Sequence, residues 1–408
     1  MKKQIAYIET EGRSIEFYSL LAWLGLFILA GFGAFVYIEH HGHVVTGMTN
    51  QIAWSGGHVF SVFLIAAAAG VFVVAAAGSA FDRAVYRPLG RLAGLLAIAL
   101  LLGGLTVMML DLGRPDRLTV AMTYFNFKST LASNILRYNG FVALVALFMW
   151  TQMDWRVNKF TKPVAIIAFL WSLSLSTGVG LEFAFLVARE AYDSAVMAPM
   201  MVAFSFTYGT AILILVLMAS YAWTRRPLGD VVVKKVKGLL AIFVAASLYF
   251  VFVFLLTTAY GTEHHDYVRF LLVDGGVITK MFWVGQIFIG CVLPLMLLYY
   301  PPTGQSRPAI VLAAGAVVVG GMCQMYVTLI GGQAYPLVLF PGMEASSSFF
   351  DGAVNSYSPT LAEMLLSVSC FAIALFIVVI VVKFLRILPA SLADEVVDPH
   401  YRAPEEAD

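Results

Sequence analysis

The sequence has little charge for its length. Only 12% of its 408 residues are Asp, Glu, Lys or Arg, and 61% are hydrophobic. An ordinary soluble domain carries roughly 25% charged residues, so a water-soluble fold of this size is excluded. The formal net charge of +1 favours no class of charged partner, and nothing in the sequence resembles a nucleic-acid-binding surface.

Cysteine and buried histidine are also scarce. The three cysteines, Cys291, Cys323 and Cys370, lie in apolar stretches without a C-x-x-C pair. Iron-sulfur and zinc sites need clustered thiolates, so we interpret these cysteines as core residues. Membrane cytochromes hold haem between histidines on facing helices, but only His58 lies in an apolar stretch. We therefore expect no haem, no iron-sulfur cluster and no metal in this chain.

Long apolar runs are what the sequence has in abundance. A helix needs ~20 apolar residues to cross the ~30 Å hydrocarbon layer of a bilayer. Ten stretches meet that requirement: Phe17–Ile38, Ile52–Ala80, Leu92–Leu110, Leu131–Gln152, Pro163–Ala188, Ala198–Trp223, Gly238–Tyr260, Val277–Tyr300, Ile310–Ile330 and Leu361–Leu385. The sequence therefore predicts an all-α polytopic membrane protein, with residues 1–408 forming a single integral membrane domain.

The positive charges predict its orientation. Most of the 25 Lys and Arg residues lie in alternate connections and at the two chain ends, and cytoplasmic loops accumulate such residues. We therefore expect residues 1–16 and the tail 388–408 in the cytoplasm. No small-residue cleavage pattern follows the first stretch, so we interpret that stretch as a retained anchor.

Ionisable side chains inside these stretches are costly in a bilayer and ask for a partner or a function. His58, Arg137 and Glu182 each lie six residues inside a predicted outer end, which places them roughly 9 Å deep. Asp111 ends the third stretch, and Asn134 and Tyr138 flank Arg137 on one helix face.

Each of these residues also has a structural interpretation. Arg137 cannot lose its charge and needs a carboxylate or hydration, for which Glu182 and Asp111 are the natural partners. A lone histidine such as His58 is usually a packing residue. Glu363 and Lys280 lie near helix ends, where their side chains can reach the surface. By the same residue count, Gln324 belongs to the outer polar layer and Gln286 lies about one turn deeper.

The most specific short motif runs from Leu110 to Arg117, with the sequence Leu-Asp-Leu-Gly-Arg-Pro-Asp-Arg. Gly113 and Pro115 end the helix, and Pro115 favours an extended conformation at Arg114. The alternating Asp and Arg residues predict a rigid, charged outer corner suited to docking.

This motif carries a resemblance to a known family. The Asp-Leu-Gly-Arg-Pro string, the many helices without cofactor ligands and the outer polar layer resemble the NrfD and polysulfide reductase membrane subunits, from about Gln51 to Lys383. The stretches from Gly42 to Met48 and from Tyr124 to Ser129, together with the ten helices, are similar more narrowly to the DsrP branch, the membrane subunits of DsrMKJOP complexes of dissimilatory sulfur metabolism.

The resemblance implies an architecture and a location. We expect two four-helix bundles, residues 52–188 and 198–330, with one flanking helix at each end of the chain. It also implies the cell inner membrane, a quinone site near the outer face, and an iron-sulfur ferredoxin-like partner there, similar to DsrO. Subunits similar to DsrM, DsrK and DsrJ are the further expected partners.

For the site itself, the resemblance carries over His58, Asp111, Arg114, Asn134, Arg137 and Tyr138. A quinone, either menaquinone or ubiquinone, exchanges two protons with two electrons. We expect His58, Asn134, Tyr138 and Arg114 to form the quinone site or its surroundings, and Glu182, Asp111 and Arg137 to transfer protons.

Two other functions stay open at this point. A secondary transporter also has about ten helices and sparse buried charges, although its substrate site usually lies at the midplane on helices broken by Gly or Pro. Here only Pro294 is central in its helix. A non-catalytic anchor for electron-transfer subunits is the second alternative.

Overall fold

The computed structural model describes residues 5–337, 352–398 and 401. Within these residues, ten helices are long and apolar enough to cross a membrane. They are α1 (Ile15–His41), α2 (Gly56–Ser79), α3 (Ala84–Leu110), α4 (Thr130–Met153), α5 (Asn158–Ala184), α6 (Met197–Thr224), α7 (Asp230–Tyr260), α8 (Val277–Tyr299), α9 (Arg307–Ala334) and α10 (Leu361–Phe384). The prediction of an all-α polytopic membrane protein is confirmed.

Hydroxyl side chains set where several helices begin. Ser14, Ser55, Ser129 and Thr360 precede α1, α2, α4 and α10, and each accepts a hydrogen bond from a backbone N–H of the first turn. Such caps satisfy amides that have no partner inside the helix. The cap at Ser55 starts α2 four residues after the apolar stretch begins at Ile52.

The helices form two rings of four. In the first ring α2 packs on α3, α3 on α4, α4 on α5, and α5 returns to α2. The second ring repeats this order with α6, α7, α8 and α9. The rings meet mainly where α2 packs along α6, with α5 also against α6 and α9 also against α2.

The flanking helices lie together rather than at opposite sides. α10 packs on α3 and α2 of the first ring, and α1 packs on α10. α1 consequently remains largely uncovered: 22% of its apolar segment is buried inside the structure, compared with 89% of the apolar segment of α2. The core of the molecule is therefore the contact between α2 and α6.

Small residues make that contact possible. A Cβ atom added at Gly70 of α2 would overlap the backbone carbonyl of Ser205 in α6, and one at Gly209 would overlap the backbone of Val71. Gly290 of α8 and Gly320 of α9 face each other at a similar crossing. Close backbone approach through small residues is typical of helix pairs in membranes.

The two ends of the bundle differ in character. At one end, which we call the strand end, Tyr7–Ile8 (β1) pairs antiparallel with Leu388–Pro389 (β2). Arg91 stacks on the Tyr7 ring at 3.8 Å, and Arg226 donates to the Leu388 carbonyl at 3.4 Å. These contacts tie the two chain ends together. The opposite end contains the start of α2 and is called the His58 end.

Helices α8 and α9 of the second ring both contain π-helical turns. They span Met281–Val292 in α8 and Val327–Gly331 in α9. π-Helical turns are rare in proteins and are frequent at functional sites. They mark this part of the second ring as a departure from regular packing.

The contact at Gly70 yields a test of the fold. We expect Gly70→Val to lower the free energy of unfolding by about 1–3 kcal/mol, because added volume in a close-packed interior forces backbone shifts. The measurement is the thermal unfolding midpoint of the detergent-solubilised protein. Gly33→Val on α1 is the matched control, since a Cβ there meets no atom within 4 Å. Equal midpoints for the two variants would contradict a tight contact between α2 and α6.

Candidate functional site

The His58 end holds a buried carboxylate in contact with a histidine. The Nδ1 atom of His58, near the start of α2, lies 2.9 Å from Oδ2 of Asp111, which follows α3. The Asp111 side chain is 1% exposed and that of His58 is 16% exposed. A buried carboxylate thus contacts Nδ1 of an imidazole that is itself partly exposed.

Ser55 completes this arrangement. Its hydroxyl donates to Asp111 Oδ2 at 2.6 Å and accepts from the Gly57 backbone N–H at 3.0 Å. The residue that caps α2 therefore also binds the carboxylate. Gly57 leaves the room for it, since a Cβ at that position would lie 2.8 Å from Asp111 Oδ2.

A second polar cluster joins α4 and α5. Arg137 donates from Nη1 to the Ser133 hydroxyl and to Asn134 Oδ1, both at 2.6 Å. Asn134 in turn donates from Nδ2 to the Glu182 carboxylate. Gly178 of α5 provides space for this group, because a Cβ there would lie 2.9 Å from the guanidinium.

This geometry corrects one expectation. Arg137 was expected to need a carboxylate or hydration, with Glu182 and Asp111 as the candidate carboxylates, but among the described residues its guanidinium donates to Ser133 and Asn134 and contacts no carboxylate directly. Asn134 lies between them and connects Arg137 to Glu182 through its two polar atoms. An amide can bridge a donor and an acceptor in this way because it carries both.

The two clusters are close enough to influence each other. Asn134 connects Arg137 to Glu182, His58 lies within electrostatic range of Glu182, and Tyr138 lies within electrostatic range of Glu182 and Arg137. His58, Asp111, Asn134, Arg137, Tyr138 and Glu182 therefore share one region, which we call the first-ring polar site. It consists of groups that can accept, donate and exchange protons.

The predicted helix ends next to two of these residues were wrong. His58 lies two residues after the start of α2, and Glu182 lies two residues before the end of α5. Both belong to the terminal turns of their helices, whereas six residues had been expected between each of them and the helix end. The reason is local: Ser55 caps α2 late, and α5 ends at Ala184 where the apolar sequence continues to Ala188.

Arg114 is the predicted site residue that lies apart. Its side chain is 64% exposed and its Nε atom pairs with Asp116 at 3.3 Å. The turn beside it packs against the connection between α1 and α2, since a Cβ at Gly113 would lie 3.4 Å from the His43 ring. Beyond it, Tyr124 and Phe127 are 81% and 84% exposed. The motif thus forms a charged corner edged by exposed aromatic rings.

Glu363 was expected to be near the surface, and that interpretation was wrong. It is 1% exposed, and its carboxylate accepts from the backbone of Gly47 at 2.7 Å and from the Tyr357 hydroxyl at 3.0 Å. The Tyr357 hydroxyl in turn accepts from the Gly56 backbone at 2.7 Å. Glu363 and Tyr357 therefore fix the chain that leads into α2 and position His58.

Sequence reasoning missed Ser55, Tyr357 and a third group around Gln333. Gln333 of α9 exchanges hydrogen bonds with the backbone of Trp54, at 2.9 and 3.3 Å, and Arg189 donates to the carbonyls of Gln333 and Gln51. A serine directly before Gly56 and Gly57 is a recognisable helix-start signal. The other contacts are long-range and leave no local pattern.

Neither histidine-rich loop forms a metal site in the part of the chain described. By composition, the loops at Glu39–His43 and Glu263–Asp266 could bind a metal at the outer surface, but a solvated loop or a subunit contact was the favoured interpretation. Among the described residues, no group of three His, Cys, Asp or Glu side chains is placed to hold a metal ion.

Comparison with known proteins agrees with this architecture. The family model described as "Polysulphide reductase, NrfD" matches residues 44–336. The "Hdr-like menaquinol oxidoreductase integral membrane subunit" of Archaeoglobus fulgidus is 26% identical over 400 residues, covering 97% of this chain and 99% of that protein. A selenate reductase subunit of Mesobacillus selenatarsenatis is 23% identical over 384 residues, covering 85% and 88%. Because the family model spans well over half of the sequence, this chain belongs to the NrfD family of polysulphide reductase.

Proposed function

We propose that this protein is the quinone-interacting membrane subunit of a respiratory electron-transfer complex. In this proposal it exchanges electrons between the quinone pool and an iron-sulfur partner subunit. Two observations support the proposal: the family membership, and the name of a relative that describes it as a menaquinol oxidoreductase subunit. Menaquinone is accordingly the favoured quinone.

The contact between His58 and Asp111 is the observation that carries this proposal. A carboxylate at Nδ1 favours the tautomer that has its proton on Nδ1, so Nε2 becomes an acceptor. Nε2 lies on the partly exposed edge of the ring, where it suits the hydroxyl of a quinol head group. A bound quinol would supply two electrons and two protons, and Nε2 is placed to take one of those protons.

Glu182 and its neighbours suit the transfer of the second proton. Glu182 accepts from Asn134 and lies within the field of the Arg137 guanidinium. Arg137 keeps its positive charge and favours a carboxylate nearby whenever Glu182 loses its proton. In this proposal Asn134 and Tyr138 line the quinone site, and Asp111, Arg137 and Glu182 pass protons to the water at the His58 end.

The electrons must leave through a partner, since we expect no redox centre in this chain. The exposed corner around Arg114, with Tyr124 and Phe127 beyond it, is the proposed contact with a ferredoxin-like subunit similar to DsrO. The narrower resemblance to the DsrP branch supports subunits similar to DsrM, DsrK and DsrJ, and a role in sulfur metabolism. Arg114 would then belong to the contact with the partner rather than to the quinone ligands.

The orientation proposed from the positive charges makes the His58 end the outer face. Arg83, Arg156 and Arg225 lie in connections at the strand end, and Arg87 and Lys159 lie in the first turns of α3 and α5 there; segments rich in such residues face the cytoplasm. The protein would then span the cell inner membrane with both chain ends in the cytoplasm. Protons released at the His58 end would leave on the outer side.

His58 gives the first functional prediction. We expect His58→Ala to reduce quinol oxidation by the assembled complex roughly 100-fold, since a positioned base contributes about 10²–10⁴ in rate. Asp111→Asn should also lower the rate, because an amide can donate to Nδ1 and turn Nε2 into a donor. The measurement is steady-state quinol oxidation in membranes, with the amount of each subunit checked by immunoblot.

His265→Ala is the matched control for this prediction. His265 is an exposed histidine at the same end of the bundle, and its Nε2 lies 3.0 Å from the Ala259 carbonyl oxygen. We expect normal turnover in that variant. Normal turnover in His58→Ala as well would remove His58 from the mechanism.

Glu182 gives a second, independent prediction. Glu182→Gln keeps an oxygen that accepts from Asn134 but removes the group that exchanges a proton. We expect quinol turnover at least about tenfold below the wild-type rate, with the complex still assembled. Glu263→Gln, whose side chain is 80% exposed at the same end, is the control expected to keep the wild-type rate.

The two alternative functions predict different observations. Bound quinone extracted from the purified protein would favour the quinone site over both alternatives. Uptake of a solute into vesicles that contain this chain alone would favour a secondary transporter. An assembled complex that turns over normally after substitution of both His58 and Glu182 would favour a non-catalytic anchor.

A further inference from the structure

A small cavity lies inside the second ring, away from the first-ring polar site. Its volume is about 20 Å³. All four helices of the ring contribute to its wall, with Met200 from α6, Phe254 from α7, Gln286 from α8, and Gln324 and Thr328 from α9. A void of this size amounts to roughly one water molecule, which needs about 10–15 Å³ by the same measure.

Two buried carbonyl oxygens at this cavity have no partner. Oε1 of Gln286 and Oε1 of Gln324 make no hydrogen bond to any described residue, although the two residues are only 4% and 6% exposed. Gln324 uses its Nε2 to donate to the Thr328 hydroxyl at 3.0 Å. A buried acceptor that lacks a hydrogen bond lowers the stability of the fold by about 1–3 kcal/mol. A hydrogen-bond donor between these two acceptors would remove that cost.

A second, larger cavity lies next to the first, towards the His58 end. It has a volume of about 290 Å³, and its lining includes Glu190, Ser194, Thr258 and His264. Within it, Glu190 Oε2 and His264 Nδ1 are buried and also lack a partner among the described residues. The loop between α5 and α6 contributes Ala191 to the small cavity and Glu190 to the large one, so the two cavities share a wall.

Helix α7 shows how close the cavities are. Phe254 and Leu255 face the small cavity, and Thr257 and Thr258, one turn further along, face the large one. One helical turn is about 5.4 Å. The polar groups therefore continue from the surface loop of the His58 end into the centre of the second ring.

We propose that the second ring contains a water port, in which the large cavity admits bulk water and the small cavity holds one bound water between Gln286 and Gln324. The bound molecule donates one O–H to each amide oxygen. A metal cation suits this site poorly, because hard cations take about six oxygen ligands and the cavity offers two free carbonyl oxygens and one hydroxyl. This proposal does not depend on the quinone site.

Two features of the surroundings fit the port. Gln286 and Thr328 belong to the π-helical turns of α8 and α9, which are frequent where a helix must accommodate a ligand. At the mouth, burial raises the pKa of the Glu190 carboxyl, an effect that the nearby His264 partly opposes. The port thus has a titratable group at its entrance and neutral amides at its inner end.

Radiolytic footprinting of the intact protein tests the bound water directly. X-rays generate hydroxyl radicals from water, including bound water, and mass spectrometry then locates the oxidised side chains. Met200 lines the small cavity, whereas its neighbour Met201 does not, and their exposures are 3% and 1%. We expect Met200 to be oxidised several-fold faster than Met201. Equal, slow oxidation of both would show that the cavity is dry and would overturn the proposal.

The thermal midpoint of one variant also distinguishes a bound water from a dry cavity, because the two cases predict changes of opposite sign. Gln286→Met keeps the length of the side chain and removes its carbonyl, and it spares the hydrogen bond from Gln324 to Thr328. With a bound water, the variant loses that hydrogen bond and leaves the water poorly held, so the thermal midpoint falls. In a dry cavity, the variant removes an unsatisfied acceptor, so the midpoint rises.

A double variant serves as the matched control. Gln286→Met combined with Gln324→Met removes both acceptors, so a shared water makes its effect smaller than the sum of the two single effects. Strictly additive effects would mean that no ligand is shared between the two amides. Because footprinting needs no variant, a variant that fails to fold leaves the test intact.

Discussion

Hydrocarbon offers no hydrogen bonds, and this constraint governs where every polar group of the protein can lie. Each polar side chain within a membrane-spanning helix must find its partner inside the protein, in a water-filled space or at an interface. The ionisable groups of the first ring meet the constraint through mutual contacts: Ser55 with Asp111, Asp111 with His58, and Asn134 with both Glu182 and Arg137. Among the described residues, some buried groups of both rings have no partner: the hydroxyls of Ser61 and Ser176 in the first ring, and the hydroxyls of Ser205 and Thr210 and the amide oxygens of Gln286 and Gln324 in the second.

The position of Asp111 illustrates how helix geometry meets this constraint. A carboxylate at the C-terminal end of α3 faces the negative end of that helix dipole, which is unfavourable. Because α2 and α3 are antiparallel neighbours, the same carboxylate also lies beside the positive end of α2, at Gly57. Ser55 and His58 then supply direct contacts. The start of α2 thus compensates for the end of α3, and it is held in place by Tyr357, Glu363 and Gln333.

The number of helices could be predicted from apolar length alone, because the hydrocarbon thickness fixes the minimum span. Their ends could not, since Ser55 rather than hydrophobicity decides where α2 begins. His58, Asp111 and Glu182 could be singled out because charge is rare in such helices. Their partners were harder: Arg137 contacts an amide instead of a carboxylate, and Glu363 is buried by a loop whose position depends on distant packing. Local sequence patterns predict helices well, but they do not predict contacts between residues that are far apart in the chain.

The two rings repeat one helix order but differ in their polar chemistry. The first ring contains groups that change charge, whereas Gln286, Gln324 and Thr328 stay neutral at any physiological pH. Neutral amides can orient a water molecule but cannot store a proton. A proton reaching the centre of the second ring would therefore have to remain on water, which is costly so far from bulk solvent. Under the proposed function, protons are exchanged at the first-ring polar site, whereas the neutral amides of the second ring only orient water.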